Sequence, residues 1–115
     1  MKRFVAVLLM GMAVSAFAAD TVVKGYLVDT ACAKDDGKKP GFGAKHSRGC
    51  LEMDDCAKSG YGVLTDNQQY IRFDQAGNGK AKDFISQLTK RNDIKVAVTG
   101  TVDGSTMTVS KIELQ

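Results

Sequence analysis

Hydrophobic and polar residues alternate along several short stretches of this chain, which is the pattern of half-buried β-strands. The alternation is clearest between Ile94 and Val102, where every second residue is apolar or glycine. Stretches rich in β-branched and aromatic residues predict further strands. The five predicted strands cover residues 21–29, 61–64, 69–73, 94–102 and 106–114.

The last two predicted strands form a hairpin, because Asp103-Gly104 is a strong turn signal between them. In the fifth strand the apolar positions change phase between Val109 and Ile112. Such a change of phase predicts a β-bulge near Ser110 or Lys111.

Helical periodicity is strongest over residues 80–91. The apolar side chains there recur at i, i+3, i+4 and i+7, and they are Ala81, Phe84, Ile85 and Leu88. A second, shorter helix is predicted over residues 46–58, with Ser59-Gly60 as its stop signal. Residues 34–45 are rich in glycine, lysine and aspartate and predict an exposed loop.

The order of these elements is strand, insertion, strand, strand, helix, strand, strand, which is the order of an OB-fold. We therefore expect a mainly β protein, a small five-stranded OB-fold-like antiparallel barrel. The amphipathic helix would lie between strands 3 and 4, and a Cys/His-bearing insertion, residues 32–60, between strands 1 and 2. The alternative is an α+β sandwich in which one helix packs on an antiparallel sheet.

The first 18 residues have the features of a secretory signal peptide. Lys2 and Arg3 precede an apolar stretch, and Ala16-Phe17-Ala18 is a small-x-small cleavage site. No cysteine lies at the cleavage site itself, so we expect no lipid anchor. The prediction is a periplasmic or secreted protein with a single domain over residues 19–115.

The charge balance excludes some classes of partner. The formal charge of +3 falls to about +1 once Lys2 and Arg3 are removed with the signal. A nearly neutral chain lacks the basic surface that nucleic-acid binding requires, and we expect no nucleic-acid partner. The expected partner is a metal ion or an unknown periplasmic protein.

Candidate chemistry is concentrated in the insertion, which holds all three cysteines and the only histidine of the chain: Cys32, His46, Cys50 and Cys56. On a continuous helix, His46, Cys50 and Met53 would share one face. Three cysteines and a histidine are a known tetrahedral zinc set. The Met53 thioether, as a possible extra ligand, favours Cu(I) instead. We therefore expect a non-catalytic binding protein with a zinc or Cu(I) site.

Two other interpretations remain open at this stage. An exported protein favours disulfides, and Cys32 could pair with Cys50 or with Cys56, which would give an interaction or small-ligand module without metal. A thiol redox protein is the third interpretation, since a histidine near a cysteine can activate it. The absence of a Cys-x-x-Cys motif argues against this last reading.

The chain resembles a group of small secreted bacterial OB-fold-like proteins of unknown function. The resemblance lies in the strand that ends at Cys32, the His46 and Cys50 pair, the segment from Cys56 to Val63, and the hairpin from Val98 to Gly104. It covers nearly all of residues 19–115. It implies the fold and the ordered Cys, His, Cys, Cys set, and no particular activity.

Overall fold

The computed structural model describes residues 20–115, so the predicted signal peptide lies outside the described residues. Five strands and five helices follow one another along this part of the chain. They are β1 (Thr21–Asp29), α1 (Thr30–Asp36), α2 (Phe42–Lys45), α3 (Arg48–Glu52), α4 (Asp54–Ser59), β2 (Tyr61–Thr65), β3 (Tyr70–Phe73), α5 (Gln75–Ser86), β4 (Lys95–Asp103) and β5 (Thr106–Leu114). Among the described residues, no helix is long and apolar enough to cross a membrane.

The five strands form one mixed sheet in the order β1-β2-β3-β5-β4, and β4 pairs in turn with β1, so the series of pairings closes into a ring. Four of the five pairings are antiparallel, and the pairing of β3 with β5 is parallel. The prediction of an antiparallel sheet was wrong at this one pair. The reason is that α5 lies between β3 and β4, and the β4–β5 hairpin then returns β5 alongside β3 in the same direction.

The predicted β-bulge is confirmed. In the β4–β5 ladder, Thr99 pairs with Lys111 and Gly100 pairs with Val109, which leaves Ser110 as the extra residue. The hydroxyl of Ser110 donates a hydrogen bond to the Thr99 carbonyl at 3.0 Å. The bulge changes which side chains of β5 face inward, as the change of phase in the sequence predicted.

The core fills the space between the strands and α5. Its members are buried side chains from every strand, from α5 and from the insertion, and they include Leu27, Leu51, Val63, Phe73, Ile85, Val96, Val98 and Met107. Leu51 is the contribution of the insertion and is fully buried. The insertion is therefore packed onto the ring of strands through at least one core residue.

Helix α5 starts at Gln75, five residues before its predicted start, and ends at Ser86 rather than at Arg91. Asp74 explains the early start, because its side chain accepts a hydrogen bond from the Gly77 amide at 3.0 Å and from the Val109 amide at 3.2 Å. An N-cap of this kind satisfies amide groups that a helix leaves unpaired at its first turn. Of the predicted apolar stripe, Ala81 and Ile85 are buried on α5, Phe84 is partly buried, and Leu88 is buried beyond the end of the helix.

The insertion contains four short helices rather than a loop and one helix. The predicted loop, residues 34–45, includes the end of α1 and all of α2, and the predicted helix over residues 46–58 is interrupted. The interruption is at Met53, whose backbone is extended with ψ of 137°. The predicted stop is confirmed, because α4 ends at Ser59 and Gly60 follows with a positive φ of 86°.

Candidate metal centre

Asp29 connects the ring of strands to the insertion. It is the last residue of β1 and the N-cap of α1, and its Oδ2 accepts a hydrogen bond from the Cys32 amide at 2.9 Å. Its relative accessibility is 0%, although a carboxylate is rarely fully buried without partners. The strand-to-helix junction therefore holds an acidic side chain inside the protein, directly beside Cys32.

The second partner of Asp29 is His46. The Nε2 of His46 lies 2.8 Å from Oδ1 of Asp29, and both side chains are buried. Because an ionised carboxylate only accepts hydrogen bonds, Nε2 carries the proton and donates. The His46 ring thus donates to Oδ1 of Asp29 and the Cys32 amide to Oδ2, and the Cys32 thiol is a further hydrogen-bond partner of the carboxylate.

Helix α2 delivers His46 to this position. The His46 amide donates to the Phe42 carbonyl at 2.9 Å, and the two rings lie 5.1 Å apart between centroids. Gly43 lets α2 approach the ring of strands closely, since a Cβ at this position would collide with the Tyr26 ring. The close packing of α2 on β1 is what brings the histidine within reach of Asp29.

Asp29, Cys32 and Cys56 together form a compact group of potential metal ligands. One carboxylate oxygen and the two Sγ atoms all lie within 4.8 Å of one another. In a tetrahedral zinc site, with bonds of about 2.0 to 2.3 Å, neighbouring ligand atoms are about 3.3 to 3.8 Å apart. The three atoms would therefore have to close by about 1.5 Å at most to bind one ion, which is within the range of side-chain rotation.

A serine holds the two cysteine-bearing helices together. The hydroxyl of Ser59 donates to the Cys56 carbonyl at 2.6 Å and accepts from the Ala31 amide at 3.0 Å. The Thr30 amide also donates to the Gly60 carbonyl at 2.9 Å. These bonds join the start of α1 to the end of α4, so that Cys32 and Cys56 face each other although 23 residues separate them in the chain.

Burial and neighbouring charge keep both thiols protonated. Burial is the main cause that raises the pKa of Cys32 to about 12, with the Asp29 carboxylate as the next contributor. Burial likewise raises the pKa of Cys56, and Asp29 adds to the effect. A bound cation would replace these two thiol protons, since thiolates are the metal-binding form.

The pKa of Asp29 is lowered, although its burial acts in the opposite direction. Burial on its own raises the pKa of the carboxyl group, and the hydrogen bonds from His46 and from the Cys32 amide outweigh it. Asp29 is therefore a carboxylate at neutral pH. The group of Asp29, Cys32 and Cys56 therefore includes one negative charge in the metal-free protein.

The structure brings together only part of the predicted ligand set. Cys32 and Cys56 are in the group, while His46 reaches it through Asp29 instead of as a direct ligand. Neither Cys50 nor Met53 belongs to it, and Met53 is 58% exposed at the interruption between α3 and α4. The predicted shared face of His46, Cys50 and Met53 assumed one continuous helix, and that helix is broken.

Sequence reasoning missed Asp29 as a ligand. In the sequence, Asp29 is only the last residue of the first predicted strand, and its contact with His46 is seen in the structure. The available signal was the spacing Asp29-x-x-Cys32 at a strand-to-helix junction. An N-cap aspartate points its side chain at the amide three residues later, and here that residue is a cysteine.

The predicted disulfide is not formed in this structure. All three cysteines are free: Cys32 and Cys50 are partly buried, and Cys56 is buried. Neither pairing that the sequence suggested, Cys32 with Cys50 or with Cys56, is bonded.

Comparison with known proteins gives no relative from which a role could be transferred. No protein-family model, curated protein or solved structure matches this chain. The case for a function therefore depends on the geometry of the centre and on the sequence.

Proposed function

We propose that this protein is an exported small binding protein that holds one transition-metal ion, with zinc as the favoured metal, through Asp29, Cys32 and Cys56. The observation that carries the proposal is the approach of one carboxylate oxygen and two Sγ atoms to within 4.8 Å. Zinc accepts both cysteine sulfur and carboxylate oxygen as ligands. The resemblance to small secreted bacterial proteins with an ordered Cys, His, Cys, Cys set is in keeping with this role.

The scaffold that we propose for this site is a small OB-fold-like barrel. The order of strand pairing and the position of α5 between β3 and β4 support it. The insertion between β1 and β2 is then the loop that carries the metal centre. The export signal that the sequence predicts over residues 1–18 supports a periplasmic or secreted location.

Binding rather than catalysis is the better role for this centre. A nucleophilic or redox-active thiol needs a lowered pKa, and the pKa values of Cys32 and Cys56 are both raised, first of all by burial. The Asp29 carboxylate beside them disfavours the thiolate further. Without a cation, these two cysteines are poor nucleophiles at neutral pH.

The test is metal binding by the reduced protein and its cysteine variants. Reduced, metal-free protein is titrated with Zn(II) in competition with a chromophoric chelator, and one ion per chain is expected. Cys32→Ser and Cys56→Ser should each abolish tight binding. Cys50→Ser is the matched control, and Met53→Ala is a second one. Each of these two single variants should bind zinc as tightly as the unmodified chain does.

Two results would contradict the proposal. The first is that the reduced chain binds neither Zn(II) nor Cu(I) more tightly than the Cys32→Ser, Cys56→Ser double variant. The second is that protein isolated from the periplasm has one free thiol per denatured chain, which would favour a disulfide-stapled interaction module without metal. Three free thiols after denaturation support the metal centre.

A further inference from the structure

The three atoms of the metal centre differ in chemical softness. Cys32 and Cys56 offer sulfur, and Asp29 offers a carboxylate oxygen. Cu(I) selects thiolate and thioether ligands, so the two cysteines alone provide what it prefers. Zn(II) takes more ligands and accepts oxygen, so it gains from the third atom in a way that Cu(I) does not.

The Asp29 side chain is held in place, with a carboxylate oxygen close to the sulfur atoms of Cys32 and Cys56. Its backbone is fixed at the end of β1, where it pairs with Tyr61 of β2. One oxygen is fixed by the Cys32 amide at 2.9 Å and the other by His46 at 2.8 Å. With a relative accessibility of 0%, the carboxylate has no solvent into which it could turn.

We propose that Asp29, oriented by His46, makes this centre selective for Zn(II) over Cu(I). The inference rests on the proposed function, because it assigns a preference to the same site. Without the oxygen donor, the site is a pair of thiolates and suits Cu(I). With it, the site is a mixed oxygen and sulfur set that suits zinc.

In this arrangement His46 is a positioning residue. Its Nε2 faces Asp29, so it acts on the metal only through the carboxylate. Hydrogen bonds of this type fix the ligand's orientation, and their loss lowers metal affinity by roughly 10- to 100-fold in metal sites generally. His46 is itself buried, and the Phe42 ring lies 5.1 Å from its own, which limits the movement of the imidazole.

Asp29→Asn is the most informative variant. The Asn oxygen can still accept from the Cys32 amide, because Asn is as good an N-cap as Asp. The Asn amide group can donate to Nε2 if the neutral imidazole adopts its other tautomer. The variant therefore keeps both hydrogen bonds and replaces the carboxylate, the oxygen ligand that the proposal gives to Zn(II), by a neutral amide.

The experiment measures Zn(II) and Cu(I) affinity separately, on reduced protein without oxygen, by competition with a chelator for each ion. For Asp29→Asn we expect the affinity for zinc to fall by about 100-fold or more. This is a larger loss than the roughly 10- to 100-fold that follows when a residue hydrogen-bonded to a metal ligand is removed. The affinity for Cu(I) should change by less than about 3-fold. For His46→Ala we expect a loss of about 10- to 100-fold for zinc only. His46→Gln, which keeps an amide donor, should recover most of that loss.

Equal losses of Zn(II) and Cu(I) affinity in Asp29→Asn would overturn the inference, and so would unchanged zinc affinity. If Asp29→Asn does not fold, as judged by circular dichroism, His46→Ala and His46→Gln provide the test. Equal losses of Zn(II) and Cu(I) affinity in His46→Ala, or no recovery of zinc affinity in His46→Gln, would then overturn the inference. The Co(II) form gives a readout that a structural defect alone would not produce. Its thiolate charge-transfer bands should persist in His46→Ala, because both sulfur ligands remain, and their loss would also overturn the inference.

These outcomes are distinct from a failure of the proposed function. That failure would appear in the unmodified chain, as the absence of tight binding of either ion. A chain that binds zinc tightly but shows no split between the two ions in its variants keeps the metal centre and loses only the selectivity of Asp29.

Discussion

The Nε2 of His46 donates a hydrogen bond to Oδ1 of Asp29 at 2.8 Å, and neither side chain has appreciable contact with solvent. The pair joins α2 to the end of β1 across 17 residues of sequence. Removal of one partner from such a pair leaves a buried polar group without its hydrogen bond, which is more costly than the loss of an exposed contact.

The first prediction concerns the stability of the metal-free protein. His46→Ala removes the imidazole donor from the buried Asp29 carboxylate, and we expect the free energy of unfolding to fall by about 3 kcal/mol. His46→Gln should lose less than half of this amount, because its amide can donate to the same oxygen. Urea unfolding in the presence of a chelator measures both variants, and equal losses would contradict the role of the hydrogen bond.

The second prediction concerns thiol reactivity. Since burial raises the pKa values of Cys32 and Cys56, few thiolates form there at mildly alkaline pH. Cys50, which lies outside the group, should therefore be the first cysteine that iodoacetamide alkylates in reduced, metal-free protein. Peptide mass spectrometry over a time course identifies the site.

Cys50→Ser is the control for that measurement. It should remove the fast phase of alkylation and leave the slow phase unchanged. A fast phase that persists in Cys50→Ser would mean that Cys32 or Cys56 is more reactive than its surroundings indicate.

The third prediction is a dependence of stability on alkaline pH. Tyr70 donates a hydrogen bond to the Val28 carbonyl at 3.0 Å, and its hydroxyl lies 3.0 Å from that of Thr30. Burial raises the pKa of Tyr70 above its ordinary value of 10.0, and the hydrogen bond with Thr30 offsets only part of this. The stability that the neutral phenol contributes is therefore complete below about pH 10 and is lost as the pH rises towards the pKa of the folded state.

Tyr70→Phe separates this contribution from that of other groups that titrate in the same range. At neutral pH the variant should be less stable by about 1 kcal/mol, because it lacks the hydrogen bond. Above about pH 10 the difference from the unmodified chain should shrink, since only the unmodified chain has a Tyr70 phenol whose ionisation stabilises the unfolded state. Urea unfolding at several pH values measures the difference, and a constant difference would refute the assignment.

The fourth prediction compares two glycines of α5. A Cβ at Gly79 would meet no atom within 4 Å, so Gly79→Ala should stabilise the protein by about 0.5 to 1 kcal/mol through its higher helix propensity. A Cβ at Gly77 would lie 2.7 Å from Asp74 Oδ1 and 2.8 Å from Val109 Cγ2. Gly77→Ala should therefore destabilise the protein by about 1 to 2 kcal/mol, because it disturbs the N-cap.

Thermal unfolding of both variants gives the result directly. Opposite signs are expected from the same substitution two residues apart. Stabilisation by Gly77→Ala would mean that the Asp74 cap can shift without loss.

Local patterns in the sequence were sufficient for most strands and for the bulge. The boundaries of β1 and β5 agree with the prediction, because each strand has an alternating or β-branched pattern and ends at a turn or a cap. The parallel pairing of β3 with β5 depends on residues more than 30 positions apart, such as Arg72 and Thr106, and local patterning does not contain it. The first turn of α5 was missed because Gly77 and Gly79 lower its helix propensity, and the Asp74 cap compensates for them.

The candidate site was predictable in its sulfur ligands and not in its oxygen ligand. Cys32 and Cys56 were identified by residue type alone. The interruption between α3 and α4 falls at Glu52-Met53-Asp54, where the sequence has no glycine or proline that would predict a break in the helix. The interruption follows from tertiary contacts, since Leu51 is buried in the core and the Tyr61 hydroxyl donates to its carbonyl at 2.8 Å.

The hydrogen bond from the Thr30 amide to the Gly60 carbonyl closes the insertion at its base. The chain leaves β1 and enters β2 at neighbouring points, so the length of the segment between them has no effect on the register of the ring. This position is therefore one at which related sequences can gain or lose residues during evolution without disturbing the strands. The requirement on such sequences is at the two ends of the segment, which carry Asp29, Cys32 and Cys56, and at the two inner residues that contact the rest of the fold, His46 and Leu51.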